Sequence, residues 1–472
     1  MKSPIFAMVI AILLCTFAFA GSLPFAFAQN GENVGGLITS DTTWRVANSP
    51  YNLTETVKVA PGATLTIEPG TVVCLNLFFL EINGTLNARG TNSEPINFNC
   101  GSPMIAGVET MLRTDFGSEI VFEPSSTSWN SQTQKGSIVE NSIISSLAVN
   151  GGSPKISSST LLNIDVFGGS AEISNNNIIG GIGVYSGPTL ISGNTISQQT
   201  HYFWQVIAQR YDRNNAVILI GNNATALIYD NILRGDISQV GAGIGFGIET
   251  SLRNCQANLV NNTIYGFKGA GIDFSDGSGN VAITDNNIQG CSEGIVINGT
   301  GRNEDNSNLT IATTIQRNII SNNTNGIEAA LSTTIQNNTF TNNKIAIVTS
   351  AVLTLNYNNF DGNFQDVYLS SLSNLDAINN WWGTTNSQTI DQSIYDYKNN
   401  HDIGNVTFTP FLTAPNQQAT PNPSVPPSIP ELTMTATIIM LAVGTITIML
   451  NQRKRIRYQS NSSESNRSFN LL

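Results

Sequence analysis

Ile315-Gln316-Arg317-Asn318-Ile319-Ile320 is followed twenty residues later by Ile335-Gln336-Asn337-Asn338-Thr339-Phe340, and after twenty more by Leu355-Asn356-Tyr357-Asn358-Asn359-Phe360. The common frame is apolar-x-x-Asn-x-apolar. It recurs upstream at Ile138…Asn141…Ile143, Ile173…Asn176…Ile178, Ile191…Asn194…Ile196, Ile228…Asn231…Leu233, Leu259…Asn262…Ile264 and Ile283…Asn286…Ile288, and once with serine at Ile156…Ser159…Leu161. The start-to-start intervals are 18, 17, 18, 37, 31, 24, 32, 20 and 20 residues. A unit of this length that admits insertions at fixed places predicts a solenoid, in which each turn buries its apolar side only against the next.

The remaining pattern makes the solenoid all-β. Ala63-Thr64-Leu65-Thr66-Ile67 and Leu80-Glu81-Ile82 alternate apolar and polar residues and end on Gly, Pro or Asn, at spacings too short for helical crossovers. The expected product is a parallel β-helix of short coils stacked at about 4.8 Å, on the order of 70 Å for some fifteen coils. Asparagine has two physical uses in such a stack: it tolerates the left-handed backbone of a sharp corner, and its amide can hydrogen-bond from coil to coil. The structural ladder expected is Asn176, Asn194, Asn231, Asn262, Asn286, Asn318, Asn338 and Asn358, with a shorter second one at Asn323, Asn343 and Asn363.

Composition limits the function. The 472 residues carry 21 Lys and Arg against 32 Asp and Glu, a formal charge of −11, with no basic cluster in the body of the chain, so nucleic acid is an unsuitable partner. Two histidines, His201 and His401, argue against a histidine-built metal site. Of five cysteines, Cys15 falls in the leader; Cys74 and Cys100 lie about one coil and a loop apart, which leaves a disulfide and buried free thiols both open, and Cys255 and Cys291 are spaced more widely.

The ends predict export and anchoring. Residues 1–28 have the charged, apolar and small-residue order of a secretory signal peptide. Residues 29–413 form the β-helix domain, 414–431 a Pro-rich linker, 432–450 an uncharged apolar span of transmembrane length, and 451–472 a tail that opens with Arg453, Lys454, Arg455 and Arg457 on the cytoplasmic side. The expectation is a cell-surface protein with a single-pass membrane anchor and its β domain outside.

Pro61 to Gly70, the later Gly-Ile turns, and Asn379-Asn380-Trp381-Trp382-Gly383-Thr384 resemble the right-handed parallel β-helix proteins of the pectin-lyase-like superfamily, over residues 45 to 413. The apolar C-terminal span makes the whole similar to archaeal cell-surface β-helix proteins. The superfamily includes lyases, glycosidases, adhesins and copper-site assembly proteins, so the resemblance implies a fold and not a reaction. It also implies that Trp381 and Trp382 cap the open end of the core.

Two places offer chemistry. Gly247-Ile248-Glu249, Gly271-Ile272-Asp273, Gly294-Ile295-Val296 and Gly326-Ile327-Glu328 would set Glu249 and Asp273 on adjacent coils of one face, with Glu328 further along. These are the candidate catalytic acids of a polysaccharide lyase or glycosidase, with Lys268 or Arg253 as basic partner. No cofactor is called for; Ca2+ is the one ion the acids suggest, with Asp276 nearby. The long interval from Ile191 to Ile228 carries Tyr202, Trp204, Arg210, Asp212 and Arg213, aromatic and guanidinium groups suited to stacking on and hydrogen-bonding sugars. The leading expectation is a surface protein that contacts cell-envelope components or extracellular polysaccharide without catalysis. Asn-x-Ser/Thr triplets at Asn52, Asn83, Asn223, Asn261, Asn298, Asn308, Asn322, Asn337 and Asn405 fit an exported glycoprotein, although Asn337 is expected to be too buried to modify.

Overall fold

The computed structural model describes residues 31–100, 119–197, 216–221, 224–235, 246–250, 255–274, 279–298 and 311–422. The chain divides into two compact units, 1–421 and 422–472, and the described residues belong to the first apart from Asn422.

Each turn of the first unit lays down three short strands. Thr334–Gln336, Thr339–Thr341 and Ile345–Thr349 make one such turn. They belong to the first, second and third faces of the coil. The first face is a 13-stranded sheet running from Thr42–Trp44 to Thr354–Asn356. The other two faces merge into one 24-stranded sheet, because early strands such as Ser142–Val149 and Thr160–Val166 bend from the second face onto the third. Pairing between successive coils is parallel, with like residues in register.

The register explains the repeat. Ile156, Ile173, Ile191, Ile228, Leu259, Ile283, Ile315, Ile335 and Leu355 stand over one another on the first face, all buried. Burial of each such side chain contributes roughly 1.5–3 kcal/mol, which is available only because a neighbouring coil covers it. The frame's second apolar residue does the same on the second face, where Ile320, Phe340 and Phe360 are aligned.

The corner between the first and second faces takes two residues with separate tasks. The first has a left-handed backbone: Asn141, Ser158, Asn175, Asp230, Asn261, Asp285, Arg317, Asn337, Tyr357 and Asn379 all have φ between 46° and 60°, and Gly193 has φ 64°. The second turns its amide inward. Left-handed geometry is thus carried by the residue before each frame asparagine, and the ladder asparagine itself needs none.

The earliest frame also shifts. Val139 pairs with Ile156 and Ile144 with Leu161, so the true frame is Val139…Ser142…Ile144, and Asn141 is the left-handed corner residue. Ser142 N–H donates to Ser159 Oγ (3.0 Å), and Ser159 N–H to Asn176 Oδ1 (3.0 Å). Asn337 is likewise a corner residue. It is only partly buried, and its Oδ1 accepts from Asn416 Nδ2 (2.9 Å).

The C-terminal end of the stack is covered. Trp382 is buried, stacked on Phe360 with ring centroids 4.7 Å apart and edge-on to Phe408, while Trp381 bridges to Asn359 and stays half-buried. The short helix Ser387–Gln392 is capped by the Asn386 side chain, which accepts from the N–H groups of Gln388 and Thr389, and it buries Ile390. The chain then doubles back along the first corner. Asn416 N–H donates to Asn359 Oδ1 (2.7 Å), Asn359 Nδ2 donates to the Asn416 carbonyl (3.0 Å), and Thr339 Oγ1 donates to the Ala419 carbonyl. Ordered packing therefore continues past residue 413, where a linker was expected to start.

The membrane expectation is corrected. Among the described residues no helix is long and apolar enough to cross a membrane, and the span 432–450 and the leader 1–28 lie outside the described residues. The supported fold is an all-β solenoid of parallel strands, with no membrane-spanning helix among the described residues. Neither a single-pass anchor, nor a membrane partner, nor an anchored cell-surface location is carried forward.

Cys74 and Cys100 are joined in a disulfide, whereas Cys255 and Cys291 are buried and outside it.

Candidate functional site

The second corner, between the second and third faces, builds an open cleft of about 980 Å3. Its sequence elements are Gly266-Phe267-Lys268, Gly290-Cys291-Ser292, Asn322-Asn323-Thr324, Asn342-Asn343-Lys344 and Gly362-Asn363-Phe364. The first residue of each has a left-handed backbone (φ 76°, 63°, 56°, 56° and 68°), which favours the glycine or asparagine found there. The second points inward. Cys291 N–H donates to Asn323 Oδ1 (2.9 Å), Asn323 N–H to Asn343 Oδ1 (3.0 Å), and Asn343 N–H to Asn363 Oδ1 (2.9 Å), so the corner is braced coil by coil.

The third residue of each element is left on the surface. Lys268, Ser292, Thr324, Lys344 and Phe364 therefore line one side of the cleft, and the corner amides of Asn322 and Asn342 are exposed beside them. Phe364 is 84% exposed, so its ring face is open to solvent beside the two lysines. Neither Lys268 nor Lys344 has a carboxylate within ion-pair distance among the described residues. The Cys291 thiol at the cleft floor is pushed up to about 11 by burial, which leaves it protonated and unreactive at neutral pH.

The acids stand on the third face, outside this lining. Glu249 pairs with Asp273 on the next coil, Asp273 with Val296, and Val296 with Glu328, so a hydrophobic residue separates the last two acids. Asp273 is buried, at 6% exposure. A fourth acid, Glu293, had not been singled out; its carboxyl is raised by burial first, and then by the charges of Glu328 and Asp273. Glu293, Glu328 and Asp273 form an acidic group, yet among the described residues no set of three or more His, Cys, Asp or Glu side chains is arranged to hold a metal ion. Lys268 lies on the cleft and not among the acids.

The sugar-stacking candidates Tyr202, Trp204, Arg210, Asp212 and Arg213 lie outside the described residues, as do Arg253 and Asp276. The main ladder residues are all buried: Asn176 N–H and Nδ2 both donate to Asn194 Oδ1, and the pattern repeats through Asn231, Asn262, Asn286, Asn318, Asn338 and Asn358 to Asn380. Of the cleft residues, Thr324, Lys344 and Phe364 were missed although a signal existed. Alternation makes the residue after each second-ladder asparagine face outward, and those residues are Thr324, Lys344 and Phe364.

Comparison with protein-family models, curated proteins and solved structures found no match. The family resemblance drawn from the Gly-Ile turns and the Trp-Trp element thus has no support from these comparisons, and only the solenoid architecture stands.

Proposed function

We propose that this chain is an extracellular-type repeat protein that binds an extended polysaccharide along the second-corner cleft and does not cleave it. The observation that carries the reading is the cleft's lining: an exposed aromatic ring, two unpaired lysines, amides and hydroxyls, and no carboxylate among the described residues. Aromatic faces stack on sugar rings, while amides and hydroxyls exchange hydrogen bonds with sugar hydroxyls. Because the lining groups recur once per coil, about 4.8 Å apart, a polymer of repeating polar units meets a similar set at each step. Cleavage would need an acid and a base facing the bound chain, and the acids sit on the neighbouring face. The Cys74–Cys100 disulfide suits an oxidising compartment.

The test is a glycan array probed with the full chain, followed by affinity electrophoresis in any polysaccharide retained and an assay for its depolymerisation. Binding without new chain ends is expected, and Phe364→Ala should weaken it about tenfold, the effect of losing one well-placed stacking ring. Retention unchanged in both Phe364→Ala and Lys344→Ala would move the site elsewhere, and release of oligosaccharides would overturn the non-catalytic reading.

A further inference from the structure

The two ends of the stack are unlike. Helix Ser387–Gln392, the strand pair Leu375–Asp376 with Val406–Thr407, and Trp382 cover the last coil. The first coil has no such cover among the described residues: Glu32–Ile38 pairs only with Tyr51–Val59, and Thr42–Trp44 only with Thr64–Ile67. Its apolar interior is nevertheless closed. Trp44 and Tyr51 are buried and stacked at 4.9 Å, and the Tyr51 hydroxyl accepts from Arg45 N–H (2.7 Å). What remains open among the described residues is a row of strand edge, and such edges are normally defended by lysine, proline or covering loops. Glu32–Ile38 contains no lysine and no proline, its one charge is Glu32, and Leu37 stands 63% exposed.

We propose that two copies of this chain join head to head through this edge, as a closed two-fold dimer. Geometry singles out the register. Glu32–Ile38 bends around the second corner: Glu32 to Val34 pair with the second-face residues Tyr51 to Leu53, and Gly36 to Ile38 with the third-face residues Val57 to Val59, with Gly35 at the bend. A two-fold axis through that corner and the middle of the opposite first face exchanges the second and third faces and returns the first face to itself. Antiparallel pairing centred on Gly35 then sets Asn33 opposite Leu37 of the second copy and Glu32 opposite its Ile38, so the like charges do not meet. On the first face the same axis passes Thr43. It sets Asp41, just before Thr42–Trp44, opposite Arg45 of the second copy, just after that strand, and does so twice by symmetry.

Both residues are exposed, and Arg45 has no carboxylate partner among the described residues. Opposite charges in this register offset part of the repulsion between two chains of −11 each. With one open and one covered end to the stack of described residues, association stops at two copies and does not propagate into a filament.

Sedimentation of the full chain over a range of concentrations tests this. A reversible monomer–dimer equilibrium is expected, with no larger species. Arg45→Glu should raise the dimer dissociation constant about tenfold or more by placing like charges opposite one another, and the charge-swapped Asp41→Arg/Arg45→Glu double variant should recover most of it. Asn33→Cys/Leu37→Cys should oxidise to a covalent dimer and no higher product; within one chain the two positions lie on different faces, on either side of the bend at Gly35. A wild-type chain that stays monomeric, or a dimer indifferent to Arg45→Glu and not trapped by the cysteine pair, would overturn the proposal. Far-ultraviolet circular dichroism of each variant separates loss of association from loss of fold.

Discussion

Asn318 shows what a single amide does in this fold. Its Oδ1 accepts from Asn286 N–H (2.8 Å) and Asn286 Nδ2 (3.0 Å), and its Nδ2 donates to the carbonyls of Ile283 (2.8 Å) and Gln316 (3.0 Å) and to Asn338 Oδ1 (2.9 Å). These groups belong to three successive coils and are buried, so none can turn to water when the amide is lost. Asn318→Ala should cost about 2–4 kcal/mol in chemical unfolding, since it strands several buried polar groups at once. A cost below about 0.5 kcal/mol, the range of an ordinary surface change, would show that the ladder is not holding the coils.

Asp366 gives the opposite case, a polar residue that works against stability. In the preceding coils the equivalent positions are Gly294, Gly326 and Ala346, small residues facing inward. Burial pushes the Asp366 carboxyl up to about 6 from 3.8, against hydrogen bonds from Ser393 and Asn363 that favour the charged form. An acid raised in the folded state holds its proton when the unfolded chain has lost its own, so stability falls as pH rises from near 3.8 to about 6 and stays lower above that. Asp366→Asn should therefore stabilise the protein at pH 8, by roughly 3 kcal/mol from a gap of about two pH units, and have little effect at pH 4. Equal effects at both pH values would mean that the carboxyl is not titrating in place.

At the scale of the element, successive coils come close together at the strand that opens the third face. A Cβ on Gly294 would lie 2.4 Å from the Gly326 carbonyl oxygen, and one on Gly326 would lie 2.5 Å from that of Ala346. The obstacle is backbone, which cannot rotate away as a side chain can. Gly294→Ala should destabilise by about 1–3 kcal/mol although alanine is the better β residue in isolation. An increase in melting temperature would show that the coils are spaced more loosely than this packing requires.

The element scale is also where sequence reading was strongest and where it slipped. Eight of the nine asparagine frames were legible as they stand because the stack repeats one environment, and each environment selects the same residue type. The earliest frame was misplaced by one residue because Ile138 and Val139, Asn141 and Ser142, and Ile143 and Ile144 each offer two acceptable neighbours, so hydrophobicity alone does not choose between them. Ser159 already showed that a hydroxyl can occupy a rung. The Asn416 contact was hidden for a different reason: a Pro, Asn and Ser-rich stretch reads as linker, and nothing local announces that its backbone will be held by Asn359.

On the scale of the whole solenoid unit, the cleft illustrates what a one-dimensional reading leaves out. Lys268 and Lys344 are far apart in sequence, with an insertion between them that breaks the period, and they share a surface column only because the insertion is accommodated without changing the register of the flanking strands. The acids, by contrast, were found by following one strand pattern, and the structure puts Val296 between two of them. Function in a stack of this kind depends on which residues share a column, and columns become visible only once every coil is aligned.

The account rests on coils stacked in that single register, and paired spin labels measure it directly. Glu172, Leu190, Leu227, Asn258, Ala282, Thr314, Thr334 and Thr354 form one column of the first face, each paired with the next. Double electron–electron resonance between labels at Asn258 and Thr354 should report a backbone separation of about 19 Å, four coil steps, and between labels at Glu172 and Thr354 about 34 Å, seven steps. Distances in that ratio are the predicted result. Broad distributions, or two separations that do not scale with the number of coils, would contradict it.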